Sequence, residues 1–192
     1  MDHKTKLDII KKCLTVLEKG GVILYPTDTV WGLGCDATNE EAIQKIYTIK
    51  KRRKNNPLII LMDNIETLKK YVLKINSFTL EVIKKSKVPT TIIYNSPKNL
   101  PKTLIYHQSI AVRIIKEPTL QKLICRFQKP LTSTSANLSG KAAPLSLEAV
   151  DPKIKRKVDY IIPEDFIDLN ERAKASRILR IDNNSNITVI RE

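Results

Sequence analysis

The sequence predicts an α/β protein with a twisted, mixed parallel and antiparallel open sheet flanked by helices. Three observations carry this. Strand-like and helix-like apolar patterns alternate through the first half of the chain. Strand patterns return close to the C-terminus. The 192 residues show no internal repeat, linker or low-complexity tract, so the expectation is a single domain over residues 1–192.

In chain order, residues 4–19 read as an amphipathic helix, with Leu7, Ile10, Leu14 and Leu17 at helical spacing and Gly20 as its stop. Residues 22–25, bounded by Gly20-Gly21 and Pro26, read as a buried strand. Thr27, Asp28 and Thr29 follow as a loop of hydroxyls and one carboxylate. Gly32 and Gly34 extend that loop as positions of backbone freedom, where a ligand can come close. Asn39 is the expected cap of a helix whose Ala42, Ile43, Ile46, Tyr47 and Ile49 face inward. That helix ends in the cationic run Lys50-Lys51-Arg52-Arg53-Lys54, and residues 58–62 resume as an apolar strand.

Asp63 or Asn64 caps a short helix through Tyr71, and residues 77–85 form another, with Phe78, Leu80, Val82 and Ile83 apolar. The β-branched run 90–94 is a strand, and Pro97 and Pro101 mark a loop over 96–104. Residues 109–115 alternate as a strand with Arg113 as its one charge. Pro118 suits the first turn of a helix running to about Gln128. Residues 131–133 form a strand that opens into SANLSGKAAP. Helical turns are expected at 146–150 and 153–157, on either side of Pro152, and a strand at 159–162. Residues 165–174 are polar and fit no element. Residues 176–181 and 187–191 close the chain as a hairpin around Asn183-Asn184-Ser185.

Composition narrows the function. Lys and Arg number 34 against 20 Asp and Glu, a net charge of +14. This balance favours nucleotides, RNA or acidic surfaces as partners. Solubility alone explains the excess but explains its clustering at 50–54 less well. No apolar run approaches the ~18 residues of a membrane span, and MDHKTKLDIIKK lacks the apolar segment of a signal peptide. Cys13, Cys35 and Cys125 have neither disulfide nor metal-ligand spacing, which points to a reducing cytoplasm, with Cys13 and Cys125 as small core residues. His3 and His107 stand apart on the surface, so no Ser-His-Asp order or metal box is present.

Four groups can carry chemistry. Lys50 and Arg52 offer fixed cations, and the arginine fork grips two phosphate oxygens; the plainer reading is a solvated helix end complementing the dipole. Thr27, Asp28 and Thr29 suit the ammonium and carboxylate of an amino acid, or ordinary turn chemistry. Arg113, inside an apolar strand, is costly to bury unless paired, so it belongs to a site, an exposed edge or an internal salt bridge. The run STSANLSG over 133–140 can cradle phosphate or ribose or simply be a polar loop, and it is not a P-loop.

Three blocks, YPTDTVWGLG, then Lys50-x-Arg52 with Asn56-Pro57-Leu58, then STSANLSG, resemble the YrdC family of L-threonylcarbamoyladenylate synthases in order and spacing. The similarity covers nearly the whole chain. It implies a YrdC-like fold and a cytoplasmic nucleotidyltransferase without the extra C-terminal domain of longer relatives. Such an enzyme converts L-threonine, bicarbonate and ATP to threonylcarbamoyl-AMP and pyrophosphate, for modification of tRNA next to the anticodon. By resemblance, Lys50 and Arg52 are the catalytic cations and line the ATP site with Asn56, Ser109, Ser135 and Asn137. Thr29, Arg113, Ser133 and Ser176 hold threonine, and Trp31 walls the pocket. Lys51, Arg53 and Lys54 are left to solvent.

Mg²⁺ is expected with ATP rather than in a dedicated protein site. Other implied partners are tRNA or double-stranded RNA and downstream threonylcarbamoyl-transferase proteins. The chain departs from the pattern at Leu61, where many relatives carry His, at Arg53, where Pro is common, and at Ala143, where a Ser often touches the nucleotide. The alternative reading is a double-stranded RNA or tRNA-binding module that does not turn over nucleotide.

Overall fold

The computed structural model describes residues 1–53, 55–167, 175–182 and 184–192. Their helices are α1 (His3–Glu18), α2 (Glu40–Lys50), α3 (Ile65–Tyr71), α4 (Ser77–Lys85), α5 (Pro118–Phe127) and α6 (Pro152–Lys155). The strands are β1 (Ile23–Tyr25), β2 (Gly32–Gly34), β3 (Ile59–Met62), β4 (Thr90–Asn95), β5 (Ser109–Ile114), β6 (Leu131–Ser135), β7 (Tyr160–Ile161), β8 (Arg177–Ile181) and β9 (Ile187–Arg191). They form one mixed sheet in the order β7-β1-β2-β6-β3-β5-β4-β8-β9.

Local chemistry sets most boundaries as expected. Asn39 Oδ1 accepts from Ala42 N at 3.0 Å to start α2, and Asn64 Oδ1 accepts from Thr67 N at 2.8 Å to start α3. Pro118 stands in the first turn of α5, behind a Glu117 cap. Gly20, at φ +70°, follows α1. Successive strand residues face opposite ways, and the core divides accordingly. Leu24, Ile60 and Val112 pack with Ile43 and Ile46 of α2 and Leu68 of α3. Ile23, Tyr25, Leu61 and Leu131 pack with Ile10 and Leu17 of α1 and Leu123 of α5. Among the described residues no helix is long and apolar enough to cross a membrane.

Four expectations are corrected. Gly32 and Gly34 form a strand, and neither has positive φ; Gly20 and Gly140 are the glycines that do. What the β2 glycines supply is room. A Cβ on Gly34 would stand 2.8 Å from Thr132 O and 2.9 Å from Tyr25 Cε1, so the tyrosine ring lies against bare backbone. Residues 146–150 are not helical: Val150 N turns back to Leu147 O at 3.1 Å and Asp151 is extended. Pro152 accounts for the break at Asp151, because it has no N–H to continue a turn and disfavours α geometry at the residue before it. Cys125 is exposed, since α5 buries Leu120, Leu123, Ile124 and Phe127 and turns position 125 to solvent. Trp31 is fully buried in the α2-side core and does not wall a pocket.

His3 and His107 are exposed. Residues 168–174 of the unassigned polar stretch and Asn183 of the closing turn lie outside the described residues. The turn between β8 and β9 is held by Asp182, whose Oδ1 accepts from Asn184 N at 2.8 Å and Asn186 N at 2.9 Å. β9 ends the sheet order, with Ile187, Val189 and Ile190 each about half exposed.

Candidate functional site

The strand register decides which sequence-distant residues can meet. Ile59 of β3 stands opposite Ser133 of β6 on one side and Ala111 of β5 on the other. Ser135 and Ser109 are each displaced by two residues toward Pro57, about 7 Å at strand rise and on the same face. Leu61, Arg113 and Leu131 share the level on the other side of Ile59. Candidate residues therefore fall into an outer group, level with Pro57, and an inner group around Ser133 and Arg113.

In the outer group, Lys50 is the last residue of α2 and is 1% exposed. Its ammonium donates to Ser135 O and, at 2.7 Å, to Asn137 O, and lies 3.5 Å from Asn137 Oδ1. In return, Ser139 N donates to Lys50 O at 3.0 Å. Burial, aided by the Arg52 charge, pushes the Lys50 ammonium down to about 7. Lys51 takes a left-handed φ of 50°, which turns the chain away from the helix axis. Arg52 then reaches back, with Nε to Asn56 O at 3.0 Å and Nη2 to Pro57 O at 3.1 Å.

The Asn56 carbonyl also accepts from Tyr47 Oη at 3.1 Å, while Asn56 itself is exposed. Ser135 Oγ donates to Asn137 Oδ1, and Asn137 Nδ2 donates to Lys141 O at 2.6 Å, which shapes the turn after β6. Ser109 Oγ donates to Tyr106 O at 2.7 Å. Lys51 and Arg53 are exposed, as expected, and Lys54 lies outside the described residues.

The inner group is buried. Arg113 is 4% exposed and holds Asp28 Oδ1 at 3.1 Å through Nη2. The loop between β1 and β2 therefore crosses the sheet face to a strand four places away. Thr27 Oγ1 donates to Val30 O at 2.7 Å, so at 2.8 Å the Thr29 hydroxyl is the donor to Thr27. Ser176 Oγ lies 2.9 Å from Thr91 Oγ1, and Arg191 Nη2 donates to Ser176 O at 2.7 Å. Arg191 is itself an exposed residue of β9, and its pKa is lowered by partial burial and then by the Arg113 charge. Burial pushes the Tyr25 phenol up to about 12, with the Ser133 hydroxyl and Arg113 pulling the other way.

Arg113 Nε is buried without a hydrogen bond among the described residues, Asp28 Oδ1 has only the ion pair with Arg113, and the Tyr25 hydroxyl has only the Ser133 hydroxyl beside it. Under-satisfied buried atoms are costly, and here three belong to one cluster. Asp28 and Arg113 also line a cavity of about 200 Å³, walled by Val88, Pro89, Ile92 and Val112. None of the outer group lines it, and of the residues assigned to threonine Arg113 alone does. Leu61, one of the departures from the expected pattern, is fully buried against the α1 and α5 side chains. No group of three or more His, Cys, Asp or Glu among the described residues is placed to hold a metal ion.

The structure thus brings Lys50, Ser135 and Asn137 together, Arg52 onto Asn56, and Arg113 onto Asp28. Ser133 bridges the two groups on β6. Tyr25 and Arg191 were not legible as site residues. Tyr25 reads as the end of an apolar strand, and only the pairing of β8 with β9 brings Arg191 to Ser176.

Residues 15–192 match the Sua5/YciO/YrdC family model, described as telomere recombination. The chain belongs to the Sua5/YciO/YrdC family. This member is 38% identical to a threonylcarbamoyl-AMP synthase of Pseudoalteromonas translucida, over 81% of its own length and 85% of the relative's. It is 34% identical to a putative threonylcarbamoyl-AMP synthase of Methanocaldococcus jannaschii, over 93% and 85% of the two chains. Among solved structures, P. abyssi Sua5 complexed with L-threonine superposes with a TM-score of 0.85 at 26% identity. That match covers 95% of the present chain but 53% of the Sua5 chain, so the present sequence spans about half of that protein. E. coli YciO shares the fold, with a TM-score of 0.82 at 23% identity over 96% and 89% of the two chains.

Proposed function

We propose that the protein is an L-threonylcarbamoyladenylate synthase, a transferase of the nucleotidyltransferase type. The single observation that carries this is the position of Ser133 and Ser135 on one face of β6, about 7 Å apart. The first adjoins the buried polar cluster of Tyr25 and Arg113, and the second is held by Lys50. A nucleotide on the outer group and an amino acid on the inner group would lie side by side. The relatives named for this activity and the threonine-bound Sua5 support the same reading.

In this reading Lys50 and Arg52 face the triphosphate, with Asn56, Ser109, Ser135 and Asn137 around the nucleotide. Arg113 takes the threonine carboxylate, with Thr29, Ser133 and Ser176 beside it. The substrate's ammonium and bicarbonate give a carbamate, releasing water and a proton. A carbamate oxygen then attacks the α-phosphorus, and pyrophosphate leaves. This chemistry asks for alignment and charge neutralisation rather than a protein nucleophile. Magnesium would enter on the triphosphate as part of that substrate. Lys50 and Arg52 are cations that suit phosphate, and none of the residues assigned to the nucleotide is a carboxylate that would hold a metal.

The product would feed downstream threonylcarbamoyl-transferase proteins acting on tRNA. A double-stranded RNA module would account for the +14 charge, but not for a buried arginine–carboxylate pair set below the surface. The test is mass spectrometry of the product made from ATP, labelled bicarbonate and L-threonine. A labelled threonylcarbamoyl-AMP is expected; threonine-independent turnover, or none, would overturn the reading.

A further inference from the structure

The inner group carries one anion, Asp28; the 27–29 loop as a whole suits an amino acid, but the residue-by-residue assignments give Asp28 no role of its own. Asp28 pairs with Arg113 at 3.1 Å, and both line the 200 Å³ cavity. That volume lies below the roughly 300–1,000 Å³ of pockets for drug-sized ligands, so it suits a small amino acid rather than a nucleotide. Arg113 Nε is buried without a partner, and its residue is 4% exposed. Lys87, Lys116 and Glu117 also line the cavity, but Asp28 is the carboxylate that touches the Arg113 guanidinium.

We propose that Asp28 recognises the free α-ammonium of the amino-acid substrate, forming with Arg113 a charge-complementary pair for zwitterionic α-amino acids. This deepens the synthase reading and rests on it. The α-ammonium and carboxylate of an amino acid are adjacent and opposite in sign. They match a carboxylate and a guanidinium that already touch. The zwitterion satisfies both at once: its carboxylate meets the open side of Arg113, and its ammonium meets Asp28. A carboxylate lacking the amine gains only the arginine and is repelled by Asp28, so the residue acts as a filter against the wrong ligand. In the free protein Asp28 also occupies part of the Arg113 fork, which disfavours simple anions there.

The test compares L-threonine with 3-hydroxybutyrate, which keeps the carboxylate and hydroxyl but lacks the amine. Binding of each is measured calorimetrically to wild type, Asp28→Asn and Arg113→Gln, with ATP binding as the check that each variant is folded. Wild type is expected to prefer threonine. Asp28→Asn should lose about 10- to 100-fold in threonine affinity, the worth of a hydrogen-bonded charge, and keep or gain affinity for 3-hydroxybutyrate. Arg113→Gln should lose both ligands. If Asp28→Asn weakens both ligands equally, Asp28 merely positions Arg113 and the proposal falls. An unchanged preference for threonine in that variant also overturns it. Wild type that binds ATP but no α-amino acid would remove the synthase reading itself, a separate and recognisable result.

Discussion

Lys50 Nζ lies 2.7 Å from the carbonyl oxygen of Asn137, 87 residues further along the chain. The bond is one half of a clasp, since the Lys50 carbonyl accepts from Ser139 N. A single residue thus fixes the C-terminus of α2 against the turn after β6, and with it the outer half of the site. Replacing Lys50 with Met should leave the carbonyls of Ser135 and Asn137 short of a donor. The expected cost is about 1–3 kcal/mol in a urea titration, together with loss of threonine- and bicarbonate-dependent pyrophosphate release. Full turnover in this variant would remove Lys50 from the chemistry.

The buried Lys50 ammonium gives a pH dependence of definite sign. The unfolded chain keeps this proton up to the usual 10.5, whereas the folded protein releases it near 7. Between those values the unfolded state binds more protons, so this group's contribution to stability rises with pH across that window. A triphosphate beside Lys50 favours the charged form. ATP binding at pH 8 should therefore take up a proton, and affinity should fall from pH 7 to pH 9. Calorimetry in buffers of different ionisation enthalpy reads this directly, and a buffer-independent heat at pH 8 would contradict it.

Tyr25→Phe should separate stability from function. The change removes a buried hydroxyl with only a marginal contact to the Ser133 hydroxyl, so the variant should stay within about 1 kcal/mol of wild type. Its amino-acid affinity should nonetheless drop about tenfold, because a polar contact in the inner group is gone. A variant that loses more stability than this would show that the hydroxyl is fully satisfied in the free protein.

Gly34→Ala should be more damaging than its size suggests. The new Cβ meets main chain at Thr132 O as well as the Tyr25 ring, and the main chain cannot swing aside. A loss of about 1–3 kcal/mol is expected from overpacking, with near-ultraviolet circular dichroism reporting the displaced tyrosine. A neutral result would mean that β2 and β6 can part without cost.

Most helices and strands were legible because their signals are local: Asn39 and Asn64 cap, Pro118 opens a helix, and apolar spacing marks the buried faces. The glycines of β2 misled because their value lies in what packs on them, and Tyr25 comes from another strand. The 146–150 stretch misled because its apolar spacing runs into the break that Pro152 makes at Asp151. At the site, the residue types over 27–29, 50–56 and 133–140 pointed to phosphate and amino-acid chemistry. Their partners were not legible. That Arg113 meets Asp28, or Lys50 the 135–137 turn, depends on strand order, and no local pattern encodes strand order.

Among the described residues the sheet finishes at β9, whose outer rim has no neighbouring strand there and whose Ile187, Val189 and Ile190 are half open to water. Such a rim invites another chain to zip onto it. The surplus of lysine and arginine, +14 overall, keeps copies apart by repulsion. That protection is ionic and weakens as the screening length shrinks from about 10 Å at 0.1 M to about 3 Å at 1 M salt. Concentrated salt, a common choice for keeping basic proteins in solution, should here drive this one to cluster.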